Sequence, residues 1–235
     1  HPPLRRQRQM CIRDRIMMVL CYWKINIKKL SPFHQVKYPL KVFIIVDMQH
    51  FLSGLDLRSD CPQDCESIVF GAGCFWGVEK KFWSLDGVWL TSVGYSGGAL
   101  ENPSYQEVCS GTTDHVEVVK VIFNPDIMPV YELLKVFWEC HDPTQGMRQG
   151  NDVGSQYRSV IFVSSKRQED AALSSLQIYQ AELKLRGFGP ITTEISAGKN
   201  YYLAEEYHQQ YLAKNPNGYC GPVSYTHLTL PTKCW

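Results

Sequence analysis

Gly73-Cys74-Phe75-Trp76-Gly77 sets a thiol between two glycines and beside two aromatic side chains. The preceding run, Ser67-Ile68-Val69-Phe70-Gly71-Ala72, reads as a buried strand. Val78, Phe82 and Leu85, spaced i, i+4, i+7, read as the inner face of a helix that follows at once. A strand–Gly–Cys–helix order puts the sulfur at a helix N-terminus. There the unpaired N–H groups and the macrodipole favour a thiolate, so Cys74 is expected to titrate below the ordinary thiol value of about 8.5. Glycines on both sides let another molecule approach, and Phe75 and Trp76 suit an apolar substrate. The competing reading is a free cysteine packed as a small hydrophobe.

Four other segments carry groups that could act with Cys74. Glu117, in Gly111-Thr112-Thr113-Asp114-His115-Val116-Glu117, shares a strand face with Val119, Val121 and Phe123. A carboxylate on an apolar face has its pKa raised and becomes a proton donor near neutral pH. On an exposed edge it would simply be solvated. Tyr105 stands in a Pro- and Ser-containing loop, where its hydroxyl could donate to a polar substrate atom or stay wet. Gln149–Ser159 crowds Asp152, Gln156 and Tyr157 around Gly150 and Gly154, as a binding wall or an Asx-type turn would. Cys220 lies between Tyr219 and Gly221, where it packs poorly and can swing toward another sulfur.

The elements that must position these groups follow in order. Strands are expected at Ile68–Gly71, Val88–Tyr95, His115–Phe123, Arg158–Ser164 and Ile191–Ala197. Helices are expected at Cys74–Leu85, Val130–Glu139, Arg167–Arg186 and Tyr202–Lys214. The loops Ser96–Thr113 and His141–Gln156 are long enough to be functional. The first six elements read β-α-β-β-α-β, the split βαβ order. The expected fold is α+β: a ferredoxin-like two-layer sandwich with a mixed sheet and an added C-terminal strand, helix and tail.

Composition bounds the rest. The chain has 235 residues and a net charge of +1, but ten of its 24 Lys/Arg and only one of its 23 acids fall in residues 1–45. The remainder is therefore acidic, which argues against a nucleic-acid-binding body. No apolar run approaches the roughly 18 residues of a membrane span. Nine scattered cysteines do not make the dense framework of a small secreted domain. Reduced thiols in the cytoplasm fit better, with an organelle leader as the alternative for the Arg-rich start. Residues 1–15 and 222–235 read as foreign to the fold, resembling read-through from adapter or vector sequence. The organisation expected is a poorly patterned extension over 1–65, a catalytic domain over 66–221, and a non-native tail over 222–235.

Taken together, Gly73–Gly77, Gly94-Tyr95-Ser96-Gly97-Gly98, the Tyr105 loop, the Glu117 strand, Gln149–Ser159 and Ala204–Leu212 resemble the methionine sulfoxide reductase A family over roughly residues 66–221. The resemblance implies an enzyme that reduces the S epimer of methionine sulfoxide, free or in oxidised proteins. Cys74 would attack the sulfoxide sulfur and become a sulfenic acid. Glu117 would protonate the oxygen, with Tyr105 and Tyr157 donating hydrogen bonds. Phe75 and Trp76 would wall the substrate methyl group, and Asp152 would orient the polar side. Cys220 would resolve the sulfenic acid as a disulfide, reduced in turn by thioredoxin or dithiothreitol. The implied partners are thioredoxin and the oxidised substrates, with no metal, no organic cofactor, and a monomer. Some family members carry a further recycling cysteine in a Gly-rich tail; Cys234 is not assigned that role.

Two rival chemistries use the same residues. Cys61, Cys65 and Cys74 with Cys109 or Cys140-His141 could be zinc ligands, though the spacings do not give two paired C-x₂₋₄-C knuckles and Cys61–Cys65 lies outside the patterned region. Cys74 with His115 or His208 could form a hydrolase dyad.

Overall fold

The computed structural model describes residues 48–218, all within the folding unit Asp47–Trp235. Eight strands and five helices follow in order: β1 (Glu66–Ala72), α1 (Phe75–Phe82), β2 (Val88–Ser96), α2 (Tyr105–Cys109), β3 (Val116–Phe123), α3 (Val130–Glu139), β4 (Arg148–Gln149), β5 (Asp152–Val153), β6 (Ser159–Val163), α4 (Lys166–Leu185), β7 (Glu194–Ala197), β8 (Tyr201–Leu203) and α5 (Tyr211–Lys214). Single 3₁₀ turns occupy Ser155–Tyr157 and Glu206–His208.

Six strands make one sheet in the order β7-β6-β1-β3-β2-β8. The inner four, β6-β1-β3-β2, pair antiparallel throughout, in the strand order of a split βαβ unit. Parallel pairing of β7 with β6 makes the sheet mixed. The architecture is α+β, as the element order implied.

Packing explains these choices. One sheet face carries Phe70, whose ring stacks at 5.1 Å on both Phe82 of α1 and Phe137 of α3. The opposite face gathers Val116, Val118, Val160 and Phe162 with Val69 and Tyr201. β3 lies between β1 and β2, so its side chains are buried on both faces, and Glu117 is enclosed rather than solvated on an edge. On α3 the buried residues Val130, Leu133, Leu134, Phe137 and Trp138 form the stripe that a 3.6-residue period produces. On α4, Ser175 rather than Leu176 takes the buried place, because its hydroxyl accepts the Trp138 indole N–H at 2.8 Å.

Three expectations need correction. Tyr202–Lys214 is not one helix. Tyr201–Leu203 is the edge strand β8 on β2, followed by the 3₁₀ turn and the four-residue α5. Gly94 permits this, since a Cβ there would lie 2.4 Å from the Tyr202 carbonyl oxygen. The loop Ser96–Thr113 contains α2, started by a capping box between Ser104 and Glu107. The loop His141–Gln156 contains the β4–β5 hairpin. In addition, residues 48–65, expected to lie outside the patterned body, pack on it. Gln49 bridges Asp56, and Leu57 is buried with Leu90 and Ile122.

Candidate active site

Cys74 is the N-cap of α1, as the strand–Gly–Cys–helix order requires. The turn depends on Gly73, which has φ +91°, and whose missing Cβ leaves room for Gln149. The residue is half-buried.

Glu117 stands across from the start of this helix. It is 2% exposed, and its Oε2 accepts the Phe75 backbone N–H at 3.2 Å. The acid and the thiol are thus tied to adjacent residues of one helix turn. Burial, aided by the charge of Asp152, pushes the Glu117 carboxyl up to about 8, against the Phe75 hydrogen bond. Glu117 therefore holds a proton through most of the neutral range.

The expected low thiol pKa is overturned. Burial comes first and the Glu117 charge second in pushing the Cys74 thiol well up; Asp152 adds to this. The Trp76 and Gly77 N–H groups lower it, but no capping hydrogen bond to the side chain forms. The helix terminus acts as expected in sign and loses in magnitude. Two acids share one enclosed space, so the first to ionise opposes the second.

The other proposed residues converge here. Tyr105, on α2, is buried, with the Cys109 side chain one turn on beside its hydroxyl. Burial and the Glu117 charge, then Cys109 and Tyr157, hold that phenol protonated. Tyr157 is buried at the end of its 3₁₀ turn. Asp152 is half-buried on β5; burial raises its carboxyl, and its charge reaches both Cys74 and Glu117. Phe75 is fully enclosed, its ring 6.0 Å from Tyr95 and 5.1 Å from His208. Trp76 stacks on Tyr211 at 3.8 Å, and its indole N–H donates to His208 Nδ1 at 3.1 Å. Cys220 lies outside the described residues.

Sequence reasoning missed the support behind this wall. Glu205 accepts the Tyr95 hydroxyl at 2.9 Å and the Tyr105 backbone N–H at 3.0 Å. His208 is buried and pushed down to about 3, so it is neutral. Its ring lies 4.6 Å from Tyr105. Within the expected helix Tyr202–Lys214, Glu205 has no role and His208 only that of a rival dyad partner; the β8 pairing and the 3₁₀ turn after it bring both behind the site. The rival histidine dyads do not form. The His208 ring hydrogen-bonds Trp76 at Nδ1, and the His115 ring hydrogen-bonds the Thr113 backbone. Among the described residues no group of three or more His, Cys, Asp and Glu side chains is placed to hold a metal ion. No helix there is long and apolar enough to cross a membrane.

Comparison with known proteins gives one family. A family model described as peptide methionine sulfoxide reductase matches residues 66–230. A peptide methionine sulfoxide reductase MsrA of Vibrio vulnificus is 59% identical over 176 residues, covering 75% of this chain and 84% of the relative. The mitochondrial peptide methionine sulfoxide reductase of Homo sapiens is 57% identical over 176 residues, covering 75% of each chain. The solved methionine sulfoxide reductase A of Corynebacterium diphtheriae superposes with a TM-score of 0.70 at 42% identity, covering 79% of this chain and 91% of that one. Reduced Mxr1 from Saccharomyces cerevisiae gives 0.65 at 37% identity, over 70% and 93%. With the thiol and the two aromatics on one helix turn and the buried acid of β3 bonded to that turn, these matches make the chain a member of the methionine sulfoxide reductase A family, an oxidoreductase that reduces peptide methionine sulfoxide.

Proposed function

We propose that this chain reduces the S epimer of methionine sulfoxide, free or in proteins, through a Cys74 sulfenic acid. The observation that carries the reading is the buried Glu117, held by the Phe75 N–H beside Cys74 and protonated near neutral pH. A sulfoxide oxygen leaves only if it is protonated, and a buried carboxylic acid is a suitable donor. The Cys74 sulfur attacks the sulfoxide sulfur as Glu117 protonates the oxygen. The sulfoxide gains two electrons and becomes the thioether. Its oxygen passes to Cys74, whose thiol is oxidised to the sulfenic acid. Tyr105 and Tyr157 steady the oxygen by hydrogen bonds, Phe75 and Trp76 wall the methyl group, and Asp152 orients the polar side.

Cys220 then attacks the sulfenic sulfur. An S–S bond to Cys74 forms, and the hydroxyl leaves as water with one proton. A dithiol restores both cysteines by exchange, and thioredoxin is the reductant we assign. All electrons come from thiols, so the cycle calls for no metal or organic cofactor. A cycle that runs on reduced thiols suits a reducing compartment such as the cytoplasm, which is the localisation we assign. The test is turnover of a peptide carrying each sulfoxide epimer, with thioredoxin or dithiothreitol. Reduction of the S epimer alone is expected; equal rates for both epimers contradict the assignment.

A further inference from the structure

The buried carboxylate of Glu79 has no part in the chemistry above. It sits on α1, one turn beyond Trp76, and is fully enclosed. Its Oε2 accepts the Gln210 backbone N–H at 2.9 Å; its Oε1 accepts the Gln210 side-chain amide at 2.7 Å and the Thr91 hydroxyl at 3.1 Å. Three donors thus converge on one side chain from β2 and from the residue before α5. Gln210 itself adopts φ +46°, a left-handed backbone that a non-glycine residue keeps only when its surroundings fix it. Its Oε1 accepts the Phe51 N–H at 2.9 Å, which brings in the N-terminal segment.

Gln210 stands between two residues that touch Trp76. His208 accepts the indole N–H, and Tyr211 stacks on the indole face. We propose that Glu79 is a positioning residue for the substrate pocket: through Gln210 it fixes His208 and Tyr211 against Trp76, and the charge on its carboxylate sets how firmly that wall is held. The proposal rests on the reading of Trp76 as a substrate wall.

The donor set fits a carboxylate and not an acid. His50 Nδ1 accepts the Ser53 N–H at 3.2 Å, so its Nε2 carries the ring proton and donates to Thr91 Oγ1, also at 3.2 Å. The Thr91 hydroxyl then has its own proton free for Glu79. A protonated Glu79 must donate where donors already point, and one of these bonds is lost. Burial pushes the Glu79 carboxyl up to about 7, with the hydrogen bonds and the Lys214 charge pulling the other way. The other titratable groups facing it are His50, pushed down to about 4 and neutral, and Tyr201, whose phenol is pushed up and stays protonated. Glu79 is therefore the group of this cluster that changes charge near neutrality, and the wall loosens as pH falls through that range.

The test follows the Trp76 indole ¹H–¹⁵N resonance of the full chain, assigned with Trp76→Phe, between about pH 5 and about pH 9. The resonance is expected to titrate with a midpoint of about 7. Glu79→Gln should abolish that titration, whereas Glu117→Gln should leave it in place, which separates it from the neighbouring acid. Glu79→Gln should also raise KM for a sulfoxide peptide about fivefold, one hydrogen bond's net worth, with kcat little changed. Should Glu79→Gln fail to fold, Thr91→Val removes one donor at equal volume and should move the midpoint up by roughly 0.7 pH unit. A resonance that titrates unchanged in Glu79→Gln, or a midpoint unmoved by Thr91→Val, overturns the proposal. A KM that responds to Trp76→Phe and not to Glu79→Gln also overturns it and leaves the pocket reading intact. A resonance that responds to Glu79→Gln with a KM indifferent to Trp76→Phe overturns the pocket reading instead.

Discussion

The Phe75 backbone N–H donates to Glu117 Oε2 across 3.2 Å, joining the strand that carries the acid to the residue next to the nucleophile. The contact fixes a proton source against the residue that follows Cys74. It also makes the two groups electrostatic rivals. An ionised Glu117 raises the thiol, and a protonated Glu117 releases it.

This rivalry gives Glu117→Gln two opposite effects. The amide keeps an acceptor for the Phe75 N–H and loses the transferable proton, so single-turnover reduction of a sulfoxide should slow by about 10²–10⁴-fold. Alkylation of Cys74 by iodoacetamide above about pH 8, where wild-type Glu117 is ionised, should become faster because the opposing charge is gone. Rapid single-turnover assays and mass spectrometry of the labelled peptide read the two effects. A variant slowed in both, or in neither, removes Glu117 from the role given to it. Cys140, buried and pushed up to about 12, serves as the unlabelled reference.

The same carboxyl predicts a pH dependence of stability. Its folded pKa, about 8, lies above its ordinary value of 4.5. A raised acid contributes stability that is fully present below the ordinary value and is lost as pH rises through the folded one. Thermal melts of Glu117→Gln and wild type should therefore diverge with rising pH between those limits, in favour of the variant. A difference that is constant, or that shrinks, across the window would show that the carboxyl is not held protonated.

Much of this arrangement is legible in the residues themselves. The period-2 pattern of Val119, Val121 and Phe123 puts Glu117 on an apolar face, and the Gly73–Gly77 segment marks a strand-to-helix turn. What is not legible is set by partners distant in sequence. Ala204–Lys214 is rich in good helix formers, yet Tyr201–Leu203 joins the sheet because Gly94 admits it and Gln209 binds both the N–H and the carbonyl of Val93. The Cys74 thiol follows the same rule. The local helix terminus lowers it, but burial and a carboxylate 43 positions away in the chain decide its sign. The role of Cys220, outside the described residues, rests on the family resemblance and on thiol chemistry.

Gly73→Ala probes the turn that presents the sulfur. The new Cβ would lie 2.7 Å from Gln149 Cγ, at a backbone φ of +91°. Gln149 has little room to yield, since its amide bonds both the N–H and the carbonyl of Asp142. The variant should lose about 1–3 kcal/mol in urea denaturation. It should lose sulfoxide reduction by a larger factor than stability alone explains at temperatures where it remains folded. Full activity in a folded Gly73→Ala would mean that the left-handed turn is not what aims Cys74.

The central step is oxygen transfer from the sulfoxide to Cys74, and Cys220→Ser isolates it. This variant keeps the nucleophile and the acid but lacks the thiol assigned to resolve the intermediate. Treated with an S-sulfoxide peptide and dimedone, it should release about one equivalent of reduced peptide per chain. It should carry a single dimedone adduct on Cys74, and thioredoxin should not drive further turnover. One equivalent of product with the adduct on another cysteine, or normal thioredoxin-driven turnover, would contradict the assignment.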